Sequence, residues 1–358
     1  MSNTAESSSQ ILLCSNCFSD EGLRIDAERH GLEQEGICPN CQRPDGKKLT
    51  KMHIKGLAWR FFVSGTTIRC DYGGAPVLQF NDSRYGQSNI YPSAWLENDI
   101  KLIEETAKIG FFHYAPHLWM IGEVEPLKAL QDPTARPQIV ERILSEYPER
   151  TLSKGSKFYR LRKNPRRPAD SFEYDSPPIE LAGGGRWDFP DLPVMYGSQD
   201  LDICIHECRV STEDELYVAT LESQKDLRLL DLTQPLEESE TEFESLDMTI
   251  HMLFLARSHS YEITRDISLA ARKVGFDGVI YPSFFSLIRT GSHPFETAYG
   301  LSLRRHHPER ERYVEATTIR NFALFGRPLE SNSVSVECIN RLILTRVDYQ
   351  VHFGPVEY

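Results

Sequence analysis

The chain has 358 residues and no apolar run near the ~20 residues that a membrane span requires. Its first residues, MSNTAESSSQ, carry neither a basic segment nor an apolar one. Residues 1–10 therefore read as a disordered tail and not as a secretory leader. An excess of positive charge is also missing. The net charge is -12, which argues against a general binder of phosphate backbones, although a local basic patch is compatible with it. There is no internal repeat, no low-complexity tract beyond the tail and no GxSxG elbow. No histidine can be assigned to Ser283 by spacing, so a Ser–His–Asp hydrolase has little support. A disulfide framework is absent too. Of eight cysteines, Cys70, Cys204, Cys208 and Cys338 are scattered and the other four form two close pairs. A cytoplasmic protein of two or three domains is the expectation, and 40% hydrophobic and 26% charged residues suit a packed globular core.

The paired cysteines carry the sharpest local signal. CSNC supplies Cys14 and Cys17, and CPNC supplies Cys38 and Cys41, with 20 residues between the pairs. Two such knuckles can place four thiolates tetrahedrally around Zn²⁺, at Zn–S distances of about 2.3 Å. Four buried free cysteines or redox CxxC chemistry are the competing readings. Four thiolates fill every tetrahedral position and leave none for water, so the expected ion is structural. Residues 11–50 are then a zinc ribbon that folds on metal. Its arginines, Arg24, Arg29 and Arg43, are offset by acidic neighbours, which favours a scaffold or protein-contact role over nucleic acid.

Residues 51–150 form an accessory mixed α/β region. QDPTARP (131–137) is an expected boundary because two prolines interrupt regular structure, and PQIVERILSEY reads as an amphipathic helix carrying Ile139, Ile143, Leu144 and Tyr147. From Lys157 onward, KFYRLRK, DLPVMYGS, ELYVATLES and LRLLDL read as strands by alternation. MTIHMLFLARSHS and ITRDISLAARKVG read as helices, FDGVIYPSF as a buried strand, and TIRNFALF and VECINRLILTRVDYQVHF as closing strands. The acidic run EESETEFESLD reads as a solvated loop or helix start. The fold class expected from this order is α+β with mixed, mostly antiparallel sheets and flanking helices.

Several residues of the second half stand out. Taken alone, Arg160 in FYRLR reads as an exposed strand arginine. Ser198 is a plausible N-cap for a helix whose Leu201, Cys204, Ile205 and Cys208 form the buried stripe. Glu207 falls on the flank of that stripe, half-buried. It pairs there with Arg209 or a neighbouring strand, or it stabilises a developing cation. At ~4 Å and an effective dielectric near 20 that attraction is about 4 kcal/mol, roughly a thousandfold in rate. Adjacent His306 and His307 read as surface residues.

The ordered set Arg160, GGRW, PVMYGS, Glu207 and GFDGVIYPS resembles the RES domain family, named for its arginine, glutamate and serine. The resemblance covers about residues 155–350, and residues 151–358 are taken as the domain. It implies an ADP-ribosyltransferase-like fold, a toxin of a bacterial toxin–antitoxin pair, NAD⁺ as substrate, and an antitoxin or regulatory protein as partner. It further implies that Arg160 and Arg186 hold the NAD⁺ diphosphate, that Tyr196 stacks on nicotinamide or its ribose, and that Glu207 steadies an oxocarbenium-like ribose. Ser283 matches the family's late serine, and Trp187 is read as packing. The chain departs from the commonest small members in its first ~150 residues, in Asp188 where asparagine is frequent, and in the acidic insertion near 236–247. The leading expectation is cleavage of the nicotinamide–ribose bond, with ADP-ribose passed to water, phosphate or a protein. The rivals are an ADP-ribosyltransferase with one protein target, and a zinc-ribbon binding module beside an inactive RES domain.

Overall fold

The computed structural model describes residues 10–70, 73–81, 88–113, 124–238, 244–255, 260–283, 285, 297–298, 301–302, 318–347 and 351–358. His306, His307 and residues 1–9 of the tail lie outside these. The chain divides into two compact units. The first is Met1–Cys70, Gly74–His117 and Tyr349–Tyr358, and the second is Asp71–Gly73 and Leu118–Asp348. Among the described residues no helix is long and apolar enough to cross a membrane.

In the first unit, β1 (Ile11–Cys14) runs antiparallel to β2 (Lys48–Thr50), with Cys14 opposite Lys48. Helix α1 (Glu21–His30) occupies the spacer between the cysteine pairs, and Asp20 caps it by accepting from Leu23 N at 3.0 Å. Then follow α2 (Lys51–Ala58), extended by a π-turn over Trp59–Val63, the short strands β3 (Thr67–Cys70), β4 (Gly73–Pro76) and β5 (Leu78–Asn81), α3 (Glu97–Ala107) and β6 (Gly110–His113). Strands β5 and β6 pair antiparallel. One apolar core runs from Leu13 and Leu23 through Ile54 and Phe62 to Phe111, so residues 11–50 bury their apolar side chains together with residues beyond 50. Asp99 of α3 ties the same segments, accepting from Ser19 N at 2.9 Å and Asp20 N at 2.7 Å. The last residues of the chain pack here as well, with Arg29 donating to Val351 O at 3.3 Å and Phe353 filling the space beside Gly22.

The second unit opens with α4 (Glu125–Gln131) and α5 (Arg136–Glu146). The break expected at QDPTARP falls between them, but Pro137 sits inside the first turn of α5, where its missing N–H is no loss. The remaining elements are β7 (Glu149–Leu152), β8 (Lys157–Lys163), β9 (Val194–Ser198), α6 (Leu201–Glu207), β10 (Leu216–Ser223), β11 (Leu227–Asp231), α7 (Leu246–Leu255), α8 (Tyr261–Lys273), β12 (Gly278–Pro282), β13 (Thr297–Ala298), β14 (Leu301–Ser302), β15 (Arg320–Phe325) and β16 (Val334–Leu342). Eight strands form one sheet in the order β16-β10-β8-β9-β15-β12-β11-β7. Among its described residues only β11 and β12 pair parallel, and the helical connection through α7 and α8 allows that crossover. The fold is α+β with a mixed, mostly antiparallel sheet, as expected.

Alternation sorts the strand residues between two cores. Met195, Ile280, Phe322 and Leu324 point to one face. Val194, Val279, Ala323 and Phe325 point to the other, against a helical layer that includes α7 and α8. Helix α8 presents Ile263, Ile267 and Ala271 at four-residue steps, and Arg136 of α5 bridges to its Glu262 and Asp266 at 2.8 and 2.7 Å. Glu238, within the acidic run, accepts from Ser245 Oγ at 2.5 Å and Leu246 N at 2.6 Å at the start of α7, whose first residues Leu246 and Asp247 close that run. The two closing stretches give β15 and β16, as expected.

Candidate functional site

The site is built on one face of three neighbouring strands. Tyr196 on β9, Asn321 on β15 and Tyr281 on β12 share that face, and Tyr281 is the direct cross-strand partner of Asn321. Ser283 follows β12, and α6 leads Glu207 to the same place. The N-cap of α6 is Asp200, which accepts from Ile203 N at 3.1 Å, and not Ser198. Strand β9 extends through Ser198, whose hydroxyl donates to Arg320 O at 3.1 Å and accepts from Asp200 N at 3.2 Å. The buried stripe narrows correspondingly to Ile203 and Cys204, while Leu201, Ile205 and Cys208 are half-buried.

Glu207 is exposed, not half-buried, and its partner is not Arg209. Its Oε1 accepts from Ser283 Oγ at 2.8 Å and from Asn321 Nδ2 at 2.7 Å. Among the described residues its Oε2 accepts no hydrogen bond. A carboxylate at the C-terminal end of a helix opposes the macrodipole, and two donors on one oxygen offset that cost. The Tyr281 hydroxyl beside it is pushed well above the usual phenol range, first by burial and then by the negative charge of Glu207.

The glycine turn before β9 is locked from several sides. Gly183 holds φ at 101° and donates to Asp188 Oδ2 at 2.6 Å. A Cβ at Gly185 would overlap the Asp188 carboxylate and the Tyr196 hydroxyl, so glycine is required there by the protein's own packing. Arg265 of α8 donates to the carbonyls of Gly183 and Gly185 at 2.6 and 2.9 Å, and Thr264 Oγ1 donates to Arg186 O at 2.5 Å. Trp187 is fully buried, its ring 5.6 Å from that of Tyr281 and 6.2 Å from that of Phe254, which is the packing role read from the sequence. The Tyr196 hydroxyl accepts from Trp187 N at 2.9 Å and donates to Asp188 Oδ1 at 3.1 Å. Burial, and then the Asp188 charge, raise it far above the ordinary phenol range.

The two arginines differ in their surroundings. Arg160 is 5% exposed, so the exposed strand arginine suggested by its local sequence is corrected. Its guanidinium donates to Tyr196 O at 2.6 Å and Asp175 O at 3.2 Å, and burial lowers its pKa to about 9. Arg186 is half-buried, donates to Leu253 O at 2.7 Å and lies over the Tyr261 ring at 5.0 Å. Glu207 and Ser283 are thus in direct contact. Tyr196 is joined to Arg160 through its carbonyl. Arg186 connects to the group through Trp187, which packs on Tyr281. Asn321 and Tyr281 were missed from the sequence. The signal for Asn321 was present, since it is the one uncharged polar residue in RNFALF.

The four paired cysteines of the first unit converge, with all four sulfurs within 4.8 Å of one another. The Cys14–Cys41, Cys17–Cys38 and Cys14–Cys17 sulfur separations are 3.4, 3.6 and 3.8 Å. A tetrahedron with metal–sulfur distances of about 2.3 Å has edges of about 3.8 Å, so the residues present fit such an ion. Cys14 N and Asn40 Nδ2 each approach Cys17 Sγ at 3.4 Å, as donors to a thiolate do. Burial raises the Cys14 thiol. Burial acts the same way on Cys38, but hydrogen bonds from the Cys41 and Asn40 backbone and with the Cys17 and Cys14 side chains together outweigh it and lower that thiol to about 7.

Residues 157–324 match the family model of the RES domain. This part of the chain is a RES domain, as the motif order implied. A solved structure, the crystal structure of the M. tuberculosis MbcT–MbcA toxin–antitoxin complex, shares 17% identity over 57% of this chain and 91% of the matched chain, with a TM-score of 0.32. No curated protein matches the chain.

Proposed function

We propose that the RES domain of this chain consumes NAD⁺ by cleaving the bond between nicotinamide and ribose. The observation that carries this reading is the Glu207 carboxylate, held through Oε1 by Ser283 and with Oε2 unoccupied by any described donor. In the proposed step the C1′–N1 bond breaks and its electron pair passes to the pyridinium nitrogen, so nicotinamide leaves neutral and needs no general acid. Positive charge develops on the ribose, where Glu207 opposes it. Water, phosphate or a protein side chain then adds to C1′ and releases a proton. Arg186, the less buried of the two arginines, is the candidate for the diphosphate, since a planar guanidinium suits phosphate oxygens. Arg160 acts from behind, holding the backbone of Tyr196. The exposure of Glu207 fits a group that must reach a substrate.

The resemblance to NAD⁺-consuming RES proteins and the RES domain match over residues 157–324 support the same assignment. We further read the four cysteines as a structural Zn²⁺ site, in which Cys14, Cys17, Cys38 and Cys41 would hold the ion and the ion would supply folding energy to the first unit. The functional test is incubation of the pure full-length protein with NAD⁺, with nicotinamide followed by chromatography and ADP-ribosylated products sought in a lysate. Release of nicotinamide is expected. Its absence, together with no modified product, overturns the proposal.

A further inference from the structure

We propose that Asn321 is a positioning residue for Glu207, a role that rests on the NAD⁺-cleaving reading above. Asn321 is 2% exposed and sits near the start of the central strand β15, paired with Ser198 of β9 on one side and Tyr281 of β12 on the other. Its amide orientation is fixed by chemistry. A carboxylate only accepts, so the nitrogen must face Glu207, and it does so at 2.7 Å from Oε1. Ser283 donates to the same oxygen at 2.8 Å. Two donors on Oε1 and no described donor on Oε2 leave one oxygen pinned, so that the other is the one to face a bound substrate.

The other end of the amide explains why this is more than packing. Asn321 Oδ1 is buried and has no hydrogen-bond partner among the described residues. Next along the same face of β15 come Ala323 and Phe325, both apolar. An apolar residue of asparagine's shape would remove the orphaned acceptor and match Ala323 and Phe325 along the strand, but it would also remove the donor. What asparagine contributes here is therefore its donor, whose acceptor at hydrogen-bond distance is Glu207, with the Tyr281 hydroxyl also beside the amide. As charge builds on the ribose, only a carboxylate already held at the right angle helps, because an untethered one would first have to reorganise. Asn321 need not touch the substrate to supply this.

The test compares Asn321→Leu and Asn321→Asp with wild type in full-length protein, measuring nicotinamide release and the melting midpoint. Asn321→Leu should melt no lower than wild type, lose roughly 10- to 100-fold in kcat and keep KM within about twofold. Asn321→Asp, which sets a second carboxylate against Glu207, should lose at least as much. In a Glu207→Ala background, Asn321→Leu should change the residual rate by less than about twofold, because its target is gone. If leucine does not fit, Asn321→Ala carries the same comparison. An Asn321→Leu or Asn321→Ala variant with wild-type kcat overturns the proposal, as does a loss that adds fully to that of Glu207→Ala. An active wild type with an indifferent Asn321 variant sinks this proposal alone, whereas a wild type that releases no nicotinamide removes the NAD⁺ reading and this one with it.

Discussion

Replacing Tyr196 with phenylalanine isolates a single hydroxyl that does two jobs. It accepts from Trp187 N at 2.9 Å and donates to Asp188 Oδ1 at 3.1 Å, in a turn where Trp187 is fully buried and Asp188 is 4% exposed. Tyr196→Phe keeps the ring and leaves both groups short of a partner. A buried polar group without its partner costs about 1–3 kcal/mol. Asp188 stays held through Oδ2 by Gly183 N at 2.6 Å, so its share belongs at the low end. The total is then ~2–4 kcal/mol, which for a domain of this size lowers the melting midpoint by roughly 4–16 °C. Calorimetry on the full-length protein measures it. Tyr159→Phe is the control, since Tyr159 has no side-chain hydrogen bond among the described residues. A Tyr196→Phe midpoint within about 1 °C of wild type would refute the reasoning, because the turn would then not depend on the network that defines it.

Other substitutions probe separate parts of the account. Ser283→Ala removes a charge-assisted hydrogen bond to Glu207 and should cost roughly 10- to 100-fold in nicotinamide release, seen as a fall in kcat at nearly constant KM. Cys41→Ser, or removal of metal with a strong chelator, should lower the stability of the first unit and abolish stoichiometric zinc in elemental analysis. Asp200→Ala takes the cap from α6 and should destabilise by about 1 kcal/mol in chemical denaturation, whereas Ser198→Ala should leave that cap intact.

What the sequence revealed follows from how local each cause is. Strands β8 to β11, β12 and β15 and helices α5, α7 and α8 were legible because each carries its period within one stretch. The cysteine pairs were legible because a ligand set is a matter of residue type and spacing. Arg160 misled because the carbonyls that take its guanidinium belong to Tyr196 and Asp175, which are remote in sequence. Ser198 misled because it is the last residue of β9 and its hydroxyl is engaged by Arg320 O and Asp200 N, which leaves the cap to Asp200. Glu207 gave itself away as a carboxylate on an apolar helix, but its partners come from two other elements and no spacing rule joins them. The packing of Phe353 beside Gly22 is a pairing of chain ends that no local pattern announces.

The central claim is that Glu207 opposes the charge that develops when nicotinamide leaves. The most direct measurement is the rate of nicotinamide release from NAD⁺ by wild type and by Glu207→Gln, at matched melting midpoints. Glutamine preserves shape and removes the charge. The account predicts release by wild type and a loss of roughly a thousandfold in the variant. A Glu207→Gln protein that releases nicotinamide at the wild-type rate would contradict it.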